Sequence, residues 1–451
     1  MKTCDMALLT DLYELTMAAA YHKKKMTESA VFSLFIRAYP PNRGYFLNAG
    51  LEDVLSYLES FELIQEDLDY LETTGLFSTD FLHYLGTLRF TGRVRAIREG
   101  RLFFEDEPIL EVTAPIIEAQ IIESFVVNTI NLQVLLATKA SRCVEAAQGR
   151  GLVDFSLRRT QGPISSLRVA RSCYLAGMKG TSNVLAGKLY GIPVSGTMAH
   201  SFVTSFSDEM DAFRAFAQAF PSNTVLLIDT YDTIKGAKKA VQIAREMAER
   251  GQKLKGVRLD SGDMAELSKK VREVLDEGGF SDALIFASGG FDEFKISDVI
   301  RRGAKIDAFG VGTKMGVSAD APYSDIAYKL VKYGDRPVLK LSSGKKTLAD
   351  EKQVFRAYKD GLMVKDTIAL KDEKIDAEPL LNPVMEEGRR INEPEPLEDI
   401  KNRCREEMSK IDKSYKAIQN PATYPVELSR KLELLQADMV NKVTQREIVE
   451  S

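Results

Sequence analysis

Short apolar runs alternate with longer amphipathic segments through the middle of the chain. One such segment, "DTIKGAKKAVQIAREMAERG" (232–251), repeats apolar residues every three or four positions and stops at Gly251, as a helix does. Near-continuous apolar runs between helices indicate parallel strands that are buried on both faces. The runs are "LVDFSL" (152–157), "IPVSGT" (192–197), "TVLLID" (224–229), "KGVRLD" (255–260), "ALIFASGG" (283–290) and "DAFGVGT" (307–313).

These runs predict an α/β domain over residues 141–334. Six strands, with a weaker seventh run at 327–331, favour an irregular and incomplete (β/α) barrel. An open doubly wound sheet is the alternative, because both architectures use the same alternation.

The two flanks have a different pattern. Residues 1–140 mix short strands such as "AVFSLFIR" (30–37) with helices such as "AGLEDVLSYLESF" (49–61). After about residue 335, two hairpin-like segments, "RPVLKLSSGKKTL" (336–348) and "KQVFRAYKDGLMVKDTIAL" (352–370), lead into a charged helical tail. We therefore expect an α+β domain built from both ends of the chain, 1–140 and 335–451.

Composition narrows the class of protein. The chain has 61 basic and 65 acidic residues, well mixed, so it has no basic stripe for nucleic acid. No apolar run is long enough to cross a membrane. Its four cysteines are scattered without a C-x-x-C pair, which favours a cytoplasmic protein without disulfides or structural zinc.

Polar residues and glycines follow the predicted strands. Parallel strands bring their carboxyl ends to one edge, so these side chains should converge there. Arg258 and Asp260 are two positions apart on one strand and therefore share a face. The candidates at the other strand ends are Arg158, Arg159, Thr197, His200, Asp229, Gly289, Gly290, Gly310, Gly312 and Thr313.

Each of these features has an ordinary structural reading. His200 could be a hydrogen-bonding residue only, "SGG" (288–290) a tight turn, and "DSGD" (260–263) a helix cap. Two glycine turns on successive strands, however, favour a phosphate on exposed backbone N–H groups. Together with arginines and carboxylates, they indicate an enzyme that handles a phosphorylated sugar and a carboxylate.

Six motifs in order resemble the nicotinate phosphoribosyltransferase family. They are "TDLYELTMAAAY" (10–21), "DFSLRRTQG" (154–162), "KGTSNVLAGKLYGIPVSGTMAHS" (179–201), "IDTYDT" (228–233), "VRLDSGD" (257–263) and "FGVGTKM" (309–315). The resemblance implies a homodimeric enzyme with shared active sites. It would join nicotinate to 5-phosphoribosyl 1-pyrophosphate, coupled to ATP hydrolysis and with Mg²⁺, and so salvage nicotinate into NAD.

The resemblance also implies roles for individual residues. His200 would be the histidine that ATP phosphorylates, and Asp229 would orient its ring. Nicotinate would be bound by Tyr13 from the other subunit, Phe155, Arg158, Thr197 and Arg258, although the roles of Arg158 and Arg159 are not separated. Asp260 would hold ribose hydroxyls or Mg²⁺, and the ribose 5-phosphate would lie on Gly289, Gly290, Gly310, Gly312 and Thr313.

Ser182 bears on the choice of base. The related nicotinamide phosphoribosyltransferases have an aspartate at this place, and Ser182 avoids repelling a carboxylate, which favours nicotinate. The nicotinamide enzyme remains the alternative.

Two other classes of protein fit the residues less well. A phosphosugar aldolase or isomerase would need a lysine or an acid/base pair at a strand end. A binding module without turnover would not need His200, Asp229 and Arg258 together.

Overall fold

The structure is a computed structural model that describes residues 6–342 and 347–445. Its chain divides into two compact units. The central unit is Leu136–Pro322, and the flanking unit combines Met1–Leu135 with Tyr323–Ser451. Because the flanking unit takes residues from both ends of the chain, the central unit is an insertion within it.

The helices and strands are numbered in chain order. The helices are α1 Leu12–Lys23, α2 Leu51–Glu59, α3 Gln65–Thr73, α4 Thr79–Thr87, α5 Ile116–Ile121, α6 Glu123–Ala146, α7 Pro163–Leu175, α8 Val184–Tyr190, α9 His200–Thr204, α10 Glu209–Ala219, α11 Thr233–Ala248, α12 Met264–Glu277, α13 Glu293–Arg301, α14 Thr313–Gly316, α15 Leu397–Lys410 and α16 Arg430–Thr444. The strands are β1 Ser29–Ile36, β2 Phe46–Leu47, β3 Arg93–Ala96, β4 Leu102–Phe103, β5 Leu110–Pro115, β6 Gly151–Asp154, β7 Gly180–Thr181, β8 Val225–Leu227, β9 Gly256–Leu259, β10 Leu284–Ala287, β11 Ala308–Val311, β12 Ile326–Tyr333, β13 Arg336–Pro337, β14 Lys352–Lys359, β15 Leu362–Leu370, β16 Glu378–Pro379, β17 Asn382–Glu386, β18 Arg389–Arg390 and β19 Val426–Leu428.

The central unit is built on one parallel sheet of six strands. Its order is β7-β6-β11-β10-β9-β8, and every neighbouring pair is parallel. The predicted α/β class is therefore confirmed. Pairing between the edge strands β7 and β8 is not among the described hydrogen bonds, so the described sheet is open on that side.

Two of the predicted strands differ from the observed ones. The run 192–197 forms only a single bridge, from Val194 to Thr181, because it contains Pro193, which has no N–H to donate, and Gly196. The run 327–331 belongs to β12, which pairs antiparallel with β1 in the flanking unit. The predicted seventh barrel strand is thus wrong, since an apolar run does not reveal which sheet it joins.

The flanking unit consists of mainly antiparallel sheets with helices, and its one described parallel pair is β15–β19. Its larger sheet has the order β13-β12-β1-β5-β3-β17-β18, and a second one has the order β16-β14-β15-β19. The predicted hairpin over 352–370 is confirmed as the β14–β15 pair. The expected hairpin near 336–348 contributes only β13 among the described residues, and 343–346 lies outside them.

The helices of the central unit pack as their apolar spacing predicts. In α11 the residues Ala237, Val241, Ala244 and Met247 are buried, and Asp232 caps the helix by accepting from the Lys235 N–H at 2.7 Å. No described helix is both long and apolar enough to span a membrane.

The flanking unit encloses a buried ion-pair network around Arg356. The guanidinium binds Asp366 through Nε at 3.0 Å and Nη2 at 2.6 Å, and Glu407 through Nη1 at 3.1 Å. All three side chains are almost fully buried. Burial and the neighbouring Asp366 raise the pKa of Glu107, which lies beside the pair. Arg356 therefore compensates buried carboxyl groups that water cannot reach, and Arg101 shares Glu407 with it at 2.9 Å.

Replacing Arg356 by methionine should destabilise the protein strongly. The change leaves Asp366 buried without its cation and leaves Glu407 with Arg101 alone. Breaking a buried ion pair on one side costs about 3–5 kcal/mol. Urea unfolding measures the loss. The matched control is R430M, which removes an exposed arginine paired with Glu433 in α16 and should leave the free energy of unfolding nearly unchanged. Equal stabilities of the two variants would contradict this account of the network.

Candidate active site

The parallel order of the sheet gathers the functional residues at one edge. Phe155 follows β6, Asp229 lies two residues beyond β8, and Asp260 follows β9. The turn Ser288–Gly290 follows β10, and Gly312 follows β11. The structure thus brings residues up to about 160 positions apart in the sequence to the carboxyl ends of neighbouring strands.

Arg258 is the centre of the hydrogen bonds at this edge. Its Nε donates to the Ser288 hydroxyl at 2.8 Å, and its Nη2 donates to Asp260 at 2.9 Å. Its Nη1 donates to the Thr197 hydroxyl at 3.2 Å and to the Met198 carbonyl at 3.1 Å. Only 12% of the side chain is exposed, so the guanidinium is a fixed and largely desolvated positive charge.

Asp260 is held as an anion beside Arg258. Burial alone would raise the pKa of its carboxyl, but the hydrogen bond from Ser288 and the charge of Arg258 outweigh burial and hold the pKa below its ordinary value. The nearby His200 also lowers the pKa of the Asp260 carboxyl. At neutral pH the edge therefore presents a guanidinium and a carboxylate next to each other.

Phe155 supplies an aromatic face to the same place. The Arg258 guanidinium carbon lies 5.4 Å from the centre of the Phe155 ring, and Phe286 lies 5.6 Å from it, centre to centre. Gly310 makes room for this ring, because a Cβ at that position would come within 2.7 Å of Phe155 Cδ2. The glycine is thus required by packing against the ring, besides any contact with a ligand.

His200 does not have the partner that was predicted for it. Its Nδ1 lies 3.1 Å from the Thr230 hydroxyl. The Oδ2 atom of Asp229 instead accepts from the Asp260 N–H at 2.8 Å and from the Ser261 hydroxyl at 2.7 Å. This carboxylate oxygen therefore supports the turn after β9, and the described hydrogen bond of the His200 ring is shared with the neighbouring Thr230 hydroxyl.

The glycine turn after β10 is closed against the strand beside it. Gly289 has φ +98°, and a Cβ there would come within 2.0 Å of the Asp260 carbonyl oxygen. Gly290 has φ +68° with open space around it. A side chain at 289 would therefore push apart the strand ends that carry Asp260 and Ser288.

Two lysines near the glycine turn were not found by reading strand ends. Lys295 donates to the Gly289 carbonyl at 2.6 Å, and Lys314 pairs with Asp292 at 2.9 Å. Burial and the nearby charge of Lys314 lower the pKa of Lys295. Both lie on helices that follow the turns, so only the three-dimensional fold places their charges near the backbone amides of Gly289 and Gly290.

Three predicted site residues are not part of this hydrogen-bonded group. Arg158, like its neighbour Arg159, lies on an exposed 3-10 turn, Leu157–Arg159, and neither guanidinium has a hydrogen bond or ion pair among the described residues. Thr313 is exposed at the start of α14. Tyr13 belongs to α1 of the flanking unit, where 47% of it is exposed.

Known proteins resemble the chain over nearly its whole length. Residues 8–131, 151–362 and 374–436 match the models of the N-terminal domain, the family and the C-terminal domain of nicotinate phosphoribosyltransferase (NAPRTase). The nicotinate phosphoribosyltransferase pncB2 of Mycobacterium tuberculosis is 46% identical, with 94% of this chain and 92% of the relative covered. The chain belongs to the nicotinate phosphoribosyltransferase family.

Further relatives agree with this family. The nicotinate phosphoribosyltransferase of Bacillus subtilis is 36% identical, with 95% of this chain and 94% of the relative covered. The crystal structure of human nicotinic acid phosphoribosyltransferase superposes with a TM-score of 0.86 at 28% identity, covering 95% of this chain and 99% of that one. The family prediction made from the six motifs is confirmed.

Asp154 supports two segments that carry predicted site residues. Asp154 is fully buried at the end of β6 and accepts from the Ser156 N–H at 2.8 Å and from the Thr181 hydroxyl at 2.7 Å. Its backbone carbonyl accepts from the Ser182 N–H at 2.8 Å. Asp154 therefore connects the loop that carries Phe155 to the segment that carries Ser182.

Changing Gly289 to alanine should damage both the fold and the site. Positive φ costs a side chain about 1–3 kcal/mol, and the clash with the Asp260 carbonyl adds to this cost. The control G290A carries the positive φ without a clash. Thermal unfolding should therefore show a clearly larger loss for G289A, and equal melting temperatures would contradict the closed turn.

Proposed function

We propose that this enzyme joins nicotinate to 5-phosphoribosyl 1-pyrophosphate and releases nicotinate mononucleotide and pyrophosphate. The reaction would salvage nicotinate into NAD. Membership of the nicotinate phosphoribosyltransferase family supports phosphoribosyl transfer. The observation that supports it in this chain is the group of Arg258, Thr197, Ser288 and Asp260 against the Phe155 ring.

The base would be held by charge and by stacking. A nicotinate carboxylate suits the planar guanidinium of Arg258, because charge-assisted hydrogen bonds are stronger than neutral ones. The bonds of Nη1 to Thr197 and Met198 are the longest ones that Arg258 makes, so they are the ones a carboxylate would most readily replace. The pyridine ring would then lie on Phe155, with its nitrogen directed toward the sugar.

The phosphoribosyl group would lie along the glycine turns. Its 5-phosphate suits the amides near Gly289, Gly290, Gly310 and Gly312 and the hydroxyl of Thr313, with Lys295 and Lys314 nearby as cations. As pyrophosphate leaves C1, the sugar gains oxocarbenium character and the pyridine nitrogen attacks from the opposite face. Holding both reactants in line supplies much of the rate acceleration.

The carboxylates at this edge fit a magnesium ion carried by pyrophosphate. Among the described residues no cluster of three or more ligands is present, so the site is not a closed protein cage. Asp260 is partly exposed, and the Oδ1 atom of Asp229 is buried without a described hydrogen-bond partner. Mg²⁺ usually takes one or two carboxylates with phosphates and waters, so Asp260 and Asp229 would hold it. When bound, it would neutralise the charge of the leaving pyrophosphate.

ATP coupling would act through His200. The imidazole lies at the first position of α9, half-buried, and close enough to Asp260 to influence that carboxyl. Transfer of a phosphoryl group from ATP to this ring, and its later hydrolysis, would couple ATP consumption to product formation. The chemistry needs a neutral imidazole nitrogen as nucleophile.

The active enzyme would be a cytoplasmic homodimer. Two exposed apolar groups favour self-association: Leu12 and Tyr13 on α1, and Val184, Leu185 and Leu189 on α8. Tyr13 would complete the nicotinate site of the partner subunit. The cytoplasmic location agrees with the three described cysteines, which are all buried and free.

The base preference tests the proposed substrate. The wild type should show a higher kcat/KM for nicotinate than for nicotinamide. S182D should lower kcat/KM for nicotinate by repelling its carboxylate, by about tenfold for 1.4 kcal/mol of repulsion, and S182N, of similar size but neutral, should lower it much less. A wild-type preference for nicotinamide would contradict the proposal.

Mixing two inactive variants tests the shared site. Y13A and R258A each lose one element, but a mixed dimer has one site with an intact Arg258 and a partner Tyr13. Random exchange should therefore restore about a quarter of the wild-type activity. Mixing Y13A with the double variant Y13A/R258A is the control and should restore nothing. Failure of Y13A and R258A to complement, despite demonstrated subunit exchange, would contradict a shared site.

A further inference from the structure

The first turn of α1 is hydrogen-bonded to the first turn of α6. The Asp11 N–H donates to the Ser124 hydroxyl oxygen at 3.0 Å, and the Ser124 N–H donates to Oε1 of Glu14 at 3.1 Å. The one proton of the Ser124 hydroxyl points to Glu14 Oε1 at 2.8 Å or to Asp11 Oδ2 at 3.0 Å, and either choice joins the two helices. We call Asp11, Glu14 and Ser124 the clasp, and all three lie in the flanking unit.

The helix α1 lacks the side-chain bonds that usually fix a helix start from within. Commonly the N-cap side chain bonds an N–H of the first turn, and a carboxylate three positions later bonds the N-cap N–H. Asp11 is the N-cap of α1 and makes no such bond, and its N–H donates to Ser124 instead of Glu14. The beginning of α1 is therefore fixed by a residue of another helix, 113 positions away in the sequence.

Glu14 makes the clasp a buried junction. Its side chain is fully buried, and its Oε2 accepts from the Thr10 hydroxyl, which also lies 3.1 Å from the Ile121 carbonyl. Burial raises the pKa of the Glu14 carboxyl to about 7, against the hydrogen bonds from Thr10 and Ser124 that lower it. A buried donor or acceptor that loses its partner costs free energy, so these bonds hold one arrangement.

Tyr13 lies beside the clasp and remains exposed. It is between Asp11 and Glu14 at the start of α1, and 47% of it is exposed. Its neighbour Leu12 is also exposed, whereas Glu14 and Leu15 are buried. The backbone of Tyr13 is thus fixed on both sides while its ring is available for contact. A side chain presented in this way loses little further freedom when it contacts a ligand.

We propose that the clasp positions Tyr13 for the nicotinate site of the partner subunit, with Ser124 as the positioning residue. This inference rests on the proposed shared site and adds to it the residues that present the tyrosine. Ser124 acts through the backbone of α1 and does not itself touch the base. Loss of the clasp should therefore weaken nicotinate binding and leave the proposed phosphoribosyl site, whose residues belong to the central unit, unchanged.

Fluorescence measures how firmly residue 13 is held without any substrate, because the chain has no tryptophan. In full-length Y13W the single indole reports on this position, and adding S124A should lower its steady-state anisotropy by increasing local motion. S409A is the matched control, since the exposed Ser409 hydroxyl donates to the Glu406 carbonyl within α15. Equal anisotropy in Y13W and Y13W/S124A would overturn the inference.

E14Q is the conservative variant of the clasp. Its amide oxygen can accept from the Ser124 N–H and hydroxyl, while its NH₂ group donates to the Thr10 hydroxyl and that hydroxyl donates to the Ile121 carbonyl. E14L has a similar size but removes every acceptor. Y13W/E14Q should keep the anisotropy of Y13W, and Y13W/E14L should lose it. An equal loss in both would contradict hydrogen bonding as the cause, and Y13W/S124A decides the matter if E14L does not fold.

Kinetics test the consequence for the base. S124A should raise the KM for nicotinate about tenfold, which corresponds to about 1.4 kcal/mol of lost binding. Its kcat and its KM for 5-phosphoribosyl 1-pyrophosphate should stay unchanged, because an interaction made equally in the ground and transition states alters the KM of that substrate alone. S409A should match the wild type. A raised KM for both substrates would show general loosening and contradict a positioning role.

Heterodimers isolated through two different affinity tags show which subunit carries the defect. R258A removes its own base site, so the remaining site takes Arg258 from the other chain and Tyr13 from the R258A chain. The KM for nicotinate should rise when S124A is in the R258A chain and stay normal when S124A is in the other chain. The reverse pattern, or a raised KM in both heterodimers, would overturn the inference.

Failure of the proposed function gives a different result. A wild type that makes no nicotinate mononucleotide would contradict that function, and the anisotropy of Y13W would still decide the clasp. A wild type that makes this product, with a normal KM in S124A and with complementation between Y13A and R258A, would overturn the clasp and leave the shared site standing.

Discussion

The guanidinium of Arg258 is the element on which the candidate site depends. It emerges from β9, the strand beside the edge strand β8 of the parallel sheet. Only 12% of its side chain is exposed, and it cannot lose its proton. Such a charge is tolerated only when its donors are paired, and the described acceptors come from Thr197, Met198, Ser288 and Asp260. Satisfying one arginine therefore draws three separate loops together and leaves a cation beside the Phe155 ring.

Glycine backbone geometry allows this arrangement to form. Gly310 lets the Phe155 ring lie against β11, and Gly289 lets the turn after β10 approach the Asp260 carbonyl. Both glycines were predicted as phosphate-binding positions, and the structure gives each a packing reason as well. The same residues can serve both purposes, because a backbone without a side chain both packs closely and exposes its amides.

Much of this architecture could be predicted from the sequence, because the strand order of a parallel sheet does not change which edge its strand ends share. Apolar runs located five of the strands of the sheet, and the carboxyl ends of parallel strands must meet at one edge. The hydrogen-bond partner of His200 could not be found in this way. Asp229 and Thr230 are adjacent in the sequence, and only the orientation of the backbone decides which of the two faces the ring.

Other features of the structure could not be predicted from the sequence for similar reasons. The apolar run of β12 carries no sign of whether its partners are parallel or antiparallel. Lys295 and Lys314 lie beyond the strand ends, on helices, where lysines are normally solvated surface residues. The strand β7 is only two residues long, Gly180–Thr181, and too short to give a periodic signal.

The most direct test of the central role of Arg258 is a crystal structure with nicotinate bound. The account predicts a carboxylate oxygen about 2.7–2.9 Å from a guanidinium nitrogen of Arg258, with the pyridine ring stacked on Phe155. Nicotinate bound with its carboxylate away from Arg258, or at another edge of the sheet, would contradict it.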